Sequence, residues 1–227
     1  MVNYIHFQSG GCLKLSIVLS WIQPFTTSGP LVSKGFSLQL NSIDYFASPY
    51  PSGNISENPQ DLVQYQSVHP LYPVAVLHDR VGVTGVSCLV AEWKAKDDVF
   101  QDAFANIVFV LALSMRESLS VDGQSVLALP IDPFTVAPGP YFLDATGGCL
   151  CPAYSLYDDF AGAFAASLLQ APGGTFQTLS SQIAASSTLT IGVLSRLYYT
   201  PTKEQTVAGV RIAIKDLADL AGVKTSC

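Results

Sequence analysis

The chain is short of charge, of histidine and of long apolar runs, and each shortage removes a class of function. Only 12% of its 227 residues are charged while 49% are hydrophobic, a balance that supplies a packed core and argues against disorder. No run of Lys and Arg occurs and the formal net charge is −6, which speaks against a nucleic-acid surface. No stretch reaches the roughly 18–20 uninterrupted apolar residues of a membrane-spanning helix. Three histidines without a cluster give little basis for a zinc site. No G-x-G-x-x-G frame is present to cradle a phosphate, and no internal repeat or charge block divides the chain.

Five cysteines are present, at Cys12, Cys88, Cys149, Cys151 and Cys227. The number is odd, and Cys149-Leu150-Cys151 is too close a pair for an easy mutual disulfide. Buried or singly bridged thiols are the simplest reading, and the redox compartment stays open. Residues 1 to 30 contain the apolar stretch Leu13 to Phe25, followed by the small and polar Thr26-Thr27-Ser28-Gly29-Pro30. This resembles a secretory h-region and its cleavage zone, although Lys14 interrupts the run. The expectation is a secreted protein, with a mis-called leader on a cytoplasmic one as the alternative. Asn54-Ile55-Ser56 forms a glycosylation sequon in a Pro/Gly/Ser/Asn-rich stretch, residues 47 to 60, that reads as loop.

Strand signals begin at Phe36-Ser37-Leu38-Gln39-Leu40, which alternates apolar and polar residues. Asn41-Ser42 then turns the chain into Ile43-Asp44-Tyr45-Phe46, predicting a hairpin. Val74 to Leu77 and Val83 to Ala91 are β-rich and predict neighbouring strands. Asp97-Asp98 precede a helical spacing of Val99, Phe100, Ala103, Phe104, Ile107 and Val108, and acids suit the positive end of a helix. For the apolar run Val108 to Leu113, helix and strand stay open. The prolines between 130 and 140 predict irregular chain. A helix is predicted from Ser155, since Leu156, Phe160, Phe164 and Leu168 recur every four residues. Ser155 and Asp158 would cap it, and Pro172-Gly173-Gly174 would stop it. Thr188 to Leu194 alternates again and predicts a strand. The fold expected is α+β, with a mixed, largely antiparallel sheet and two or three helices.

Near the C-terminus, Val210, Ile212 and Ile214 alternate, predicting a short strand with Arg211, Ala213 and Lys215 on its other face. Lys215 would then stand near a strand end, where sheets commonly present functional groups, and Asp216 would orient the loop or pair with a cation. An amine acting as general base must lose its proton, so its pKa must fall from about 10.4 toward 7–8. A solvated charge pair is the plain alternative for Lys215-Asp216.

The run Lys215-Asp216-Leu217-Ala218-Asp219-Leu220-Ala221-Gly222-Val223-Lys224-Thr225-Ser226 resembles the opening of an amidase-signature hydrolase. Ser195-Arg196-Leu197-Tyr198-Tyr199-Thr200-Pro201-Thr202 and Ala208-Gly209-Val210-Arg211-Ile212-Ala213-Ile214 precede it. Together they are similar to the junction in a group of fungal amidase-domain proteins, where a β-rich N-terminal module runs into the amidase fold. That module takes its name from a scytalone-dehydratase-like pigment protein. Residues of about 32 to 195 resemble it at Leu40 to Phe46, Lys96 to Phe100, Gly139 to Phe142 and Tyr154 to Phe164. One departure is Thr206-Val207-Ala208-Gly209, where the family commonly has Pro-Leu-Ala-Gly.

The resemblance implies an accessory domain over residues 31 to 195, and a linker with the first strand and loop of an amidase α/β fold over 196 to 227. It also implies Lys215 as the base of a Ser-Ser-Lys triad, supported by Asp216, Thr225 and Ser226, with a small-molecule amide as substrate and no metal or organic cofactor. The family's two serines lie in a Gly/Ser-rich stretch that these 227 residues do not contain, so the chain by itself is expected to be inactive. The alternative, of a different class, is a stand-alone binding or assembly module linked to pigment or secondary metabolism. Among weaker candidates, His78-Asp79 could serve a dehydratase. Gly147-Gly148-Cys149 reads as a turn with a buried thiol rather than a nucleophile. Ser180-Ser181 and Ser186-Ser187 lack the Gly-rich frame of an amidase serine.

Overall fold

A computed structural model describes residues 34–55, 71–78, 85–111, 118–121, 124–129, 136–144 and 146–225. Within them the chain is α+β, with a mixed and mostly antiparallel sheet of ten strands, a separate two-stranded ribbon and one α-helix. The strands are β1 Phe36–Leu40, β2 Ile43–Ala47, β3 Gly53–Asn54, β4 Leu71–His78, β5 Ile107–Leu111, β6 Ser118–Val121, β7 Gln124–Leu129, β8 Gly139–Asp144, β9 Cys149–Asp158, β10 Leu168–Gln170, β11 Phe176–Thr178 and β12 Thr190–Leu194. The sheet runs β1-β2-β9-β8-β4-β5-β7-β6, with β3 and β12 also paired to β9. Only the β4–β5 and β5–β7 pairs are parallel.

The hairpin β1–β2 forms where alternation placed it, in the register Leu40↔Ile43. Its two-residue turn holds Asn41 at φ 50° and Ser42 at φ 66°, the left-handed pair that matches the twist of adjoining strands. Strand β4 is buried on both faces, which explains its near-continuous apolar sequence. Leu71, Ala75 and Leu77 join one core cluster, together with Val86, Val90, Trp93, Phe100 and Phe104. Tyr72, Val74 and Val76 join a second, with Ile55, Val136 and Tyr141. In the first cluster Phe142 and Tyr45 meet Phe104 at ring distances of 5.2 and 5.6 Å, geometries favoured by aromatic quadrupoles.

Several sequence expectations are corrected. The segment Val83 to Ala91, expected as a strand, contributes instead to α1, the helix Val86–Lys96, with residues 83 and 84 outside the described range. Val86, Val90 and Trp93 lie at i, i+4 and i+7 and are all buried, so a helical stripe outweighs the β-branched composition. Asp97 and Asp98 therefore follow a helix rather than start one. Beyond them stand only the short 3₁₀ helix Asp102–Asn106 and then β5, which also settles Val108 to Leu111 as strand.

The helix expected from Ser155 is absent. Ser155 and Asp158 belong to β9, which pairs with β2, β3, β8 and β12. Four partner strands hold this segment extended against its local four-residue period. Past β9, Phe160 is 92% exposed and Phe164 also faces solvent. Pro172–Gly174 forms a 3₁₀ turn between β10 and β11 rather than a helix stop. The loop expected over 47 to 60 contains the short strand β3; of the prolines expected in irregular chain, Pro130 and Pro133 lie outside the described residues, whereas Pro140 stands in β8. Residues 210 to 214, expected as a strand, are irregular.

Candidate functional site

Two acids at the end of α1 organise the part of the molecule that meets the C-terminal segment. Asp97 leaves the helix with extended backbone, its own N–H bonded to the Trp93 carbonyl. The C-terminal end of a helix carries partial negative charge, so a carboxylate there needs donors from elsewhere. Asp97 has them. Its Oδ2 accepts from the Phe100 N–H at 3.1 Å and the Ser195 hydroxyl at 2.7 Å, and its Oδ1 from the Arg196 N–H at 3.0 Å. Arg211 Nη2 lies 3.5 Å from Oδ1, and the Asp97 side chain is wholly buried.

Asp98 beside it is half exposed. Arg211 grips it with Nη1 at 2.7 Å and Nη2 at 2.6 Å, the two-pronged geometry suited to a guanidinium. Hydrogen bonding to Arg211 is the main reason the Asp98 carboxyl is held below its ordinary 3.8. Arg211 Nε and Nη2 also donate to the Leu194 carbonyl at the end of β12, at 3.2 and 3.0 Å. Lys94, Ala95, Lys96 and Arg196 complete the rim of an open depression of about 240 Å³ over the two acids. Lys94 pairs with Asp102 and Lys96 with Glu92.

This cluster joins parts of the chain that are distant in sequence. Every oxygen of Asp97 is already bonded. The buried Ser195 hydroxyl donates to Asp97 and accepts from the Leu197 N–H at 3.2 Å, so it is a turn cap shut away from solvent.

A second group of contacts anchors the same segment. Tyr198 packs against the second core cluster, meets the Tyr141 ring in a tilted contact at 5.0 Å, donates to the Pro140 carbonyl and accepts from the Ala153 N–H at 2.9 Å. Burial raises its phenol well above 10.0, and raises Tyr199 to about 12. Neither is an acid or base near neutral pH.

Lys215 is exposed and lies in a turn, where its carbonyl accepts from the Ala218 N–H at 3.0 Å. No hydrogen bond joins it to a serine among the described residues. Asp216 is also exposed, and Thr225 is half-buried. Ser226 lies outside the described residues. The structure thus places Lys215, Asp216 and Thr225 on one irregular segment.

The remaining candidates are equally plain. His78 ends β4 and donates from Nε2 to the Val136 carbonyl at 2.7 Å, while Asp79 lies outside the described residues. Gly147-Gly148 forms a turn, and burial pushes the Cys149 thiol up and the Cys151 thiol up to about 12. Cys88, Cys149 and Cys151 are free. Ser181 bonds to Ser37 at 2.8 Å and Ser186 to Thr188 at 3.2 Å. Asn54 stands in β3, where its side-chain amide donates to the Gly147 carbonyl at 2.9 Å, and Ile55 after it is buried. Among the described residues no three His, Cys, Asp or Glu side chains are grouped to hold a metal, and no helix is long and apolar enough to cross a membrane.

Sequence reasoning missed Arg211 as the organising cation and Asp97-Asp98 as its seat. The available signal was the acid pair itself: two carboxylates directly after a Val86/Val90/Trp93 helical stripe require a cation from elsewhere. No family model matches this chain, and no solved structure matches it.

Proposed function

We propose that the chain is an accessory domain, over about residues 31 to 195, that precedes an amidase-signature amide hydrolase, and that residues 196 to 227 lead into the catalytic part. In this reading Lys215 is a general base only when the two serines of the triad are supplied by further chain. The 227 residues then bind no metal or organic cofactor and hydrolyse nothing by themselves. The observation that carries the proposal is the run Lys215 to Ser226, with its resemblance to the amidase opening. The same segment is consistent with a place awaiting cover: Val207, Val210 and Leu217 are 59, 48 and 64% exposed, an apolar dressing suited to a segment that further structure packs against.

A second reading, a stand-alone binding or assembly module, draws support from the way Arg211 and Ala221 tie this segment to the domain. The proposal is tested by turnover. Purified chain is incubated with aliphatic and aryl carboxamides and with a serine-directed fluorophosphonate probe, and ammonia release and labelling are followed. The proposal expects neither. Amide turnover abolished by Lys215→Ala would overturn it, because a nucleophile would then have to lie within these residues.

A further inference from the structure

The last strand of the sheet ends at Leu194, and the 3₁₀ helix Arg196–Tyr198 pins the chain through the partly buried Tyr198. From Tyr199 to Thr225 the chain forms no helix or strand, yet it stays on the domain surface through few attachments. Arg211 is the first, on Asp98, Asp97 and the Leu194 carbonyl. The second is at Ala221, whose carbonyl accepts from the Phe176 N–H of β11 at 2.7 Å. Here Gly222, at φ +90°, lies so close to the Phe176 carbonyl that a Cβ would sit 2.4 Å from it. Much of the rest of the segment is exposed, including Val207, Val210, Lys215 and Leu217.

The two acids under Arg211 differ in what depends on them. Asp97 is buried and bonds to Phe100, Ser195 and Arg196, so it belongs to the body of the domain. Asp98 is half exposed, and the side chain bonded to it is that of Arg211. Breaking the Asp98 pair therefore leaves the Asp97 contacts of the domain in place. Arg211 then keeps the Leu194 carbonyl at 3.0 Å and Asp97 Oδ1 at 3.5 Å.

We propose that residues 199 to 225 form a strap closed by an Asp98–Arg211 ionic latch, which opens as a unit while the sheet stays folded. Opening takes this segment off the Asp98 carboxylate and the Leu194 carbonyl of β12. The inference rests on the geometry of the latch and stands under either functional reading.

The test is backbone amide exchange by mass spectrometry on the whole chain, comparing wild type with Asp98→Ala. Loss of a two-pronged charged contact should speed exchange of amides between 203 and 224 about tenfold, with amides of β4, β8 and β9 unchanged. Wild type in 1 M NaCl should move the same way, because exposed pairs are screened, and this arm needs no variant to fold. Unchanged strap exchange in both arms would overturn the latch. Equal acceleration in the strap and in β4, β8 and β9 would overturn the claim that the strap opens separately.

Discussion

Replacing Asp97 by alanine should be among the most damaging single changes in the molecule. The side chain is fully buried, and its removal strips partners from the Ser195 hydroxyl and from the Phe100 and Arg196 N–H groups while weakening the hold on Arg211. A buried donor left unpaired costs about 1–3 kcal/mol, and breaking one side of a buried ion pair about 3–5 kcal/mol. These contributions overlap, because Arg211 keeps Asp98 and the Leu194 carbonyl, so we place the loss at about 4 kcal/mol. With a urea dependence of about 2 kcal/mol per M for a domain of this size, the midpoint of unfolding should fall by roughly 2 M. Equilibrium urea titration by circular dichroism reads it directly. Asp102→Ala, which removes a surface pair with Lys94, serves as the control and should cost no more than about 1 kcal/mol. If Asp97→Ala shifts the midpoint no further than Asp102→Ala, the account of Asp97 as the hub of this region fails.

Ser42→Gly should raise stability by about 0.5 kcal/mol in the same titration, since Ser42 holds a positive φ that glycine adopts without steric cost; a loss would contradict the turn assignment. Gly148→Ala should destabilise by at least about 2 kcal/mol, because Gly148 has φ +69° and a Cβ there would lie 2.3 Å from the Ile55 carbonyl; unchanged thermal unfolding would refute it. Acid should release the strap. The Asp98 carboxyl is held below its ordinary 3.8 by Arg211, so its contribution is present above that value and disappears as pH falls through the lowered one. The groups around it are Asp97, Lys94, Lys96, Arg196 and Arg211, with the Tyr45 and Tyr198 phenols beyond Asp97. Protection of strap amides relative to β4 should therefore fall below about pH 4 in wild type and be flat in Asp98→Ala; parallel curves would refute it.

Where one face of an element meets the core and the other meets a simple turn, the sequence was readable. The Phe36–Leu40 alternation and the Asn41-Ser42 turn follow from local pattern and near neighbours, and the strand around Val74 to Leu77 was legible from its continuous β-rich apolar run, buried on both faces. Thr190–Leu194 was legible from its alternation. Tyr154 to Phe164 misled because its four-residue period is local, whereas the state of β9 is set by four strands distant in sequence. The α1 segment misled in the opposite sense, its valines suggesting a strand although Val86, Val90 and Trp93 mark a helical stripe. That error carried over to Asp97 and Asp98. Once α1 ends at Lys96, the acids fall at the wrong end for the helix dipole and must recruit Arg211 from 113 residues away. Alternation at Val210, Ile212 and Ile214 was real in the sequence, but no strand pairs with them among the described residues, so the period has nothing to act on.

The central claim, that this domain precedes an amidase-signature catalytic part, is tested most directly by sequencing the mature transcript across the codon for Cys227. The account predicts that the frame continues into a Gly/Ser-rich stretch carrying the two serines that Lys215 needs. A stop codon directly after Cys227 would contradict it and leave the strapped domain itself to account for whatever the protein does.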